Sequence, residues 1–70
     1  MKKIITFESI HYTIKADQLL RTTSCRYEIV PTPRDVSTDC GMCIKVNVDD
    51  FDLAFTILSE QGFQVKVYEL

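Results

Sequence analysis

Residues 42–62 read MCIKVNVDDFDLAFTILSEQG, and inside that stretch the apolar period changes from two to about 3.6. In Met42-Cys43-Ile44-Lys45-Val46, the residues Met42, Ile44 and Val46 face one way and Cys43 and Lys45 the other, as a strand with one buried face requires. Beyond it, Phe51, Ala54, Phe55 and Leu58 stand at i, i+3, i+4 and i+7, the apolar face of a helix. Asn47 or Asp49 is suited to cap that helix, Gln61 closes it, and Gly62 supplies the C′ residue that stops it. A strand therefore leads straight into a helix.

The same grammar repeats on either side. Residues 63–68 alternate Phe63, Val65 and Val67 against Gln64, Lys66 and Tyr68, and residues 26–30 alternate as a half-buried strand. Residues 3–7 are a short β-prone run. Ser9 then caps a helix reaching about Arg21 or Thr22, with Ile10, Ile14, Ala16 and Leu20 as its apolar side and Asp17 at the edge of the stripe as a solvated or capping carboxylate. The order is βαββαβ, which predicts an α+β fold of ferredoxin-like type: right-handed crossovers lay both helices on one face of a four-stranded antiparallel sheet. The other face stays open.

Seventy residues make one domain, 1–70, whose core is small enough that association with a partner, including a second copy, is a natural expectation. With 46% apolar and 26% charged residues the chain is neither disordered nor of low complexity. A net charge of −2 argues against a nucleic-acid binder, which needs clustered cations to displace counterions. An RNA-binding sheet would also want stacking aromatics where the third strand offers Cys43, Lys45 and Asn47. Residues 1–6 hold too short an apolar run for a signal peptide, and no run approaches membrane-spanning length, so the expected location is cytoplasmic. In that compartment three cysteines read as reduced thiols.

The chemistry concentrates in Pro31-Thr32-Pro33-Arg34-Asp35-Val36-Ser37-Thr38-Asp39-Cys40-Gly41-Met42-Cys43. Pro31 and Pro33 end the apolar run before them and hold the following loop in a restricted geometry. The pattern of Pro31, Pro33, Arg34, Asp35, Val36, Ser37, Cys40 and Gly41 resembles that of the selenium/sulfur carrier-like family, small bacterial domains of unknown function. Thr6-Phe7 with Ser9 near the start and Val67-Tyr68-Glu69-Leu70 at the end agree with it as well. The resemblance implies a carrier that holds sulfane sulfur or selenium on Cys40 as a persulfide or selenopersulfide. Its partner would be a cysteine desulfurase or another enzyme of selenium or sulfur metabolism.

Such a carrier needs a thiolate that is accessible and nucleophilic. Gly41 keeps the neighbouring space clear for a donor, Arg34 can fold back as a fixed positive charge, and Ser37 can donate a hydrogen bond or cap a helical turn through Cys40. Members of the family usually carry an aliphatic or small residue where Cys43 stands, so the pattern transfers Cys40 alone.

Three other readings compete. Cys40 and Cys43, spaced Cys-x-x-Cys, would make a dithiol switch with Cys43 as resolving thiol if a turn at Gly41 brought them together, since three extended residues span about 10 Å and a disulfide allows about 7 Å between Cα atoms. Without that role, Cys43 is a polarizable residue on the open face of the sheet. A zinc site would need Cys25 and His11 as well, but Cys25 stands at the entry to the second strand where members of the family look apolar, which implies a small core residue, and His11 reads as solvated, so no metal is expected. A protein-docking module without chalcogen transfer would use the loop as a recognition surface. No acid and base pair, phosphate-cradling loop or nucleophile triad is present in the sequence, so neither a complete enzyme nor a cofactor is expected.

Overall fold

The structure is a computed structural model and describes residues 2–36 and 41–69. Its elements are β1 (Lys2–Phe7), α1 (Ile10–Leu20), β2 (Tyr27–Pro31), β3 (Met42–Asn47), α2 (Val48–Glu60) and β4 (Val65–Glu69). They form one antiparallel sheet in the order β2-β3-β1-β4, the α+β ferredoxin-like arrangement that the sequence predicts. The central strands β1 and β3 hold all the buried strand positions among the described residues, Ile4, Ile5, Thr6 and Phe7 on one and Cys43, Ile44 and Val46 on the other, whereas the edge strands hold none.

Alternation along the strands sends Ile5, Phe7, Ile44 and Val46 to the helical side, where they pack with Ala16, Leu20, Cys25, Ala54 and Leu58 in one core. Cys25 is thus the small core residue expected from its place in the chain. Burial pushes its thiol up, with a further contribution from the charge of Asp50.

On α1 the buried positions are Thr13, Ala16 and Leu20, while Ile10 and Ile14 remain 47% and 52% exposed. Ile14 and Ala16 lie two residues apart, about 200° around a helix, so burial of one excludes the other. The small Ala16, fully buried, lets the helix backbone approach the sheet. Asp17 is also not the solvated group expected of it. Its carboxylate accepts a 2.6 Å hydrogen bond from the Tyr27 hydroxyl and pairs with Arg21 at 2.8 Å, tying α1 to the edge strand β2.

α2 ends as its glycine requires. Gly62 has φ of 80°, its N–H donates to the Ser59 carbonyl, and the Phe63 N–H donates to the Leu58 carbonyl. This is the paired bonding of a Schellman cap. Ser9 and Asn47 occupy the expected N-cap positions in extended backbone geometry, but neither side chain makes a capping hydrogen bond.

Pro31 is the last residue of β2 and pairs with Met42, one position further than the expected strand end. Beyond it Thr32 N–H donates to the Gly41 carbonyl across the same ladder, which places Thr32 in a hydrogen-bonded pair and Pro31 in a non-bonded one. The missing donor of Pro31 therefore points to the free edge, the tolerated position for proline in a sheet.

Candidate functional site

The loop between β2 and β3 is closed at its root by antiparallel pairing. Pro31 opposes Met42, and Thr32 N–H reaches the Gly41 carbonyl at 3.0 Å. A turn follows at once, with Val36 N–H donating to the Pro33 carbonyl at 3.0 Å. Arg34 sits in that turn, exposed, and among the described residues it pairs with no carboxylate, Asp35 included. Its charge is not spent on a surface salt bridge there. Ser37 and Cys40 lie outside the described residues.

Gly41 is exposed, and a Cβ built on it meets nothing within 4 Å. Its φ is not positive, so the fold does not need a glycine there for conformational reasons. What glycine contributes at this position is the absence of a side chain, with no described residue in reach of one.

The two described cysteines are both withdrawn from solvent. Cys25 is 8% exposed and Cys43 is fully buried. Cys43 does lie on the sheet face away from the helices, opposite Val30, yet it is sealed rather than presented to solvent as expected for an open-face thiol. A buried sulfur is reached only from within the protein, which bars Cys43 from meeting an external donor. Among the described residues no group of His, Cys, Asp and Glu side chains is arranged to hold a metal ion, and His11 is exposed, edge-on to the Tyr12 ring.

Several residues that sequence reasoning passed over shape this end of the molecule. The Thr13 hydroxyl, buried on α1, donates to the Met42 carbonyl at 3.3 Å and so ties the first turns of α1 to the root of the loop. α1 carries no carboxylate in its first turn, so its positive end is not neutralised from within the helix. The Thr32 hydroxyl oxygen is buried at the loop root and has no hydrogen-bond partner among the described residues. At the same end of the sheet Glu8, Tyr12, Gly62 and Gln64 line an open hollow of about 340 Å³. Tyr12 stands edge-on to Phe63, which packs in turn on Phe7. A threonine inside a helix and a tyrosine on its surface give no local signal of such roles, because the register of α1 against β3 places them.

No helix among the described residues is long and apolar enough to cross a membrane. No curated protein and no solved structure matches the chain. The family model described as "Putative Se/S carrier protein-like" does match, over residues 2–69. That match takes in both strands that frame the loop, the loop itself and the helices packed behind it, so the chain belongs to the Se/S carrier protein-like family.

Proposed function

We propose that the protein is a carrier of sulfane sulfur or selenium, held as a persulfide or selenopersulfide on Cys40 and handed to a partner enzyme. The observation that carries this reading is the burial of the other two cysteines: Cys25 and Cys43 offer no thiol to an external donor. The family description points the same way.

Loading is a transfer between sulfurs. The Cys40 thiolate attacks the terminal sulfur of a donor persulfide, the donor's S–S bond breaks, the donor cysteine leaves as its thiolate, and the new S–S bond leaves a persulfide on Cys40. No net oxidation occurs, so no redox cofactor is needed. Selenium follows the same path from a donor selenopersulfide. Delivery reverses the step onto the acceptor.

Residues near Cys40 in the chain are of the types that suit the anion this chemistry needs. Arg34 has its charge uncommitted among the described residues, and the amino end of α1 is tethered to Met42, two residues beyond Cys40. Ser37 supplies a hydroxyl in the same loop, and the open space at Gly41 admits a donor's cysteine. A cysteine desulfurase, or another enzyme of selenium or sulfur metabolism, is the partner that this chemistry implies. As a carrier the protein turns over nothing itself.

The test is intact mass after incubation with a cysteine desulfurase and cysteine. The wild type should gain one sulfur atom, lost again on reduction with dithiothreitol, while Cys40→Ser should gain none and Cys25→Ser should still load. Loading that survives Cys40→Ser would overturn the assignment. A dithiol cycle with Cys43 requires a loss of two hydrogen atoms in mass on mild oxidation, mapped to a 40–43 link; without that link Cys43 is a structural residue of the sheet.

A further inference from the structure

The charges of this chain are sorted by face. On the sheet face away from the helices, the described residues present Lys2, Arg26, Lys45 and Lys66 against the single carboxylate of Glu28. The opposite layer contains α2, whose sequence VDDFDLAFTILSE holds four carboxylates and no cation. A molecule with net charge −2 therefore carries a positive sheet face and a negative helical face.

The positive face is built rather than accidental. Ile4 is 1% exposed although no helix covers it, and the register puts Lys45 directly across from it on one side and Tyr68 on the other. The aliphatic stems of long side chains cover the apolar floor and hold their charged heads outward. At one corner Lys2, Arg26, Lys45 and Asn47 line a depression of about 110 Å³, with Tyr27 and with Glu28, whose carboxylate pairs with Lys2 at 3.7 Å. Lys66, four residues from Lys2 by the register along β1, extends the field about 13 Å toward the end that carries the loop.

We infer that this sheet face is a docking surface for the acidic surface of a protein partner. Charge complementarity selects the occupant. The chain's own carboxylates on α2 lie on the other face and cannot neutralise the cations, and the central strands β1 and β3 offer no aromatic on this face for a nucleic-acid base to stack on, Tyr68 on the edge strand β4 being the one strand aromatic there among the described residues. Exposed and half-buried cations over a covered floor, with no exposed large apolar side chain among them, give fast and salt-sensitive encounters instead of a permanent interface. The opposed charge of α2 orients the approach so that the sheet face, not the helical layer, meets the partner. The inference goes beyond the carrier reading and does not depend on Cys40.

Fluorescein-labelled oligoglutamate is the probe, titrated into the Cys40→Ser protein so that thiol chemistry plays no part. Binding should weaken steadily as salt rises, and amide shifts in an NMR titration should fall on β1, β2, β3 and β4 rather than on α2. The double change Lys45→Glu and Lys66→Glu should weaken binding about tenfold or more. Lys15→Glu, an exposed change on α1, should leave it unaltered. If the double variant loses its fold by circular dichroism, Lys66→Gln alone, at an exposed site, should still weaken binding measurably. The inference is overturned by no binding at low salt, by shifts centred on the helices, by equal effects of Lys15→Glu, or by tighter binding of a single-stranded oligonucleotide of equal charge. A protein that fails to load sulfur but binds the probe would sink the carrier reading alone.

Discussion

Tyr27 shows what a single side chain does at the margin of a small core. Its half-buried ring sets the hydroxyl against α1, where it donates to the Asp17 carboxylate, and burial first and that bond second push its pKa up to about 12 from the usual 10. Ionisation would set a phenolate beside a carboxylate in a partly dry site. The folded state therefore keeps this proton where the unfolded chain has lost it, so the contribution is fully present below pH 10 and disappears as pH rises toward about 12. Tyr27→Phe should cost about 1 kcal/mol near neutral pH and should flatten the fall in urea midpoint across that alkaline window. An unchanged alkaline slope in the variant would mean that the hydroxyl does not anchor α1. From sequence, Asp17 is one carboxylate at the edge of a stripe, and nothing local announces a partner ten residues away across a turn. The cysteines divide along the same line: the core role of Cys25 was implied by the family resemblance, since relatives look apolar there, but the sealing of Cys43 was not legible, because alternation gives its face and not what covers that face.

Among the elements, the two glycines make a matched contrast. Gly62 holds φ of 80° in a Schellman cap, so Gly62→Ala should destabilise the protein by about 1 kcal/mol through strain in the left-handed region. Gly41 has neither positive φ nor, among the described residues, a neighbour within reach of a Cβ, so Gly41→Ala should leave the thermal midpoint nearly unchanged. If Gly41 serves donor access, the same substitution should slow sulfur loading, a separation of rate from stability that thermal melts and mass spectrometry measure together. The strands and both helices were legible because period and caps are local properties. The buried side of α1 was not, since Ile10 and Ile14 form as good an apolar row as Thr13, Ala16 and Leu20. Close approach to the sheet chose the row with alanine at its centre, and the Thr13 hydroxyl became tolerable there because the Met42 and Ser9 carbonyls accept from it.

The whole molecule rests on one core shared by both helices and the sheet, and Leu58 lies fully inside it. Leu58→Ala should cost about 2–5 kcal/mol, and because β1, β3, α1 and α2 share that core, far-UV circular dichroism and tyrosine fluorescence should lose structure in one coincident transition. Separate transitions would show that the loop end and the distal end fold apart. At this scale the fold also sets the two proposed surfaces apart: the loop between β2 and β3 joins one end of β3, while the cationic corner sits at its other end, about 16 Å away. Local pattern was sufficient for the element order, the ferredoxin-like class and the Pro-x-Pro-Arg to Cys-Gly loop, because periodicity, caps and turn residues act over a few neighbours in the chain. The burial of Cys43, the tie between Thr13 and Met42, the Tyr27 anchor and the segregation of charge by face all join residues remote in the chain. Those depend on which strand register and which helix face pack the core most closely, and no local rule contains that choice.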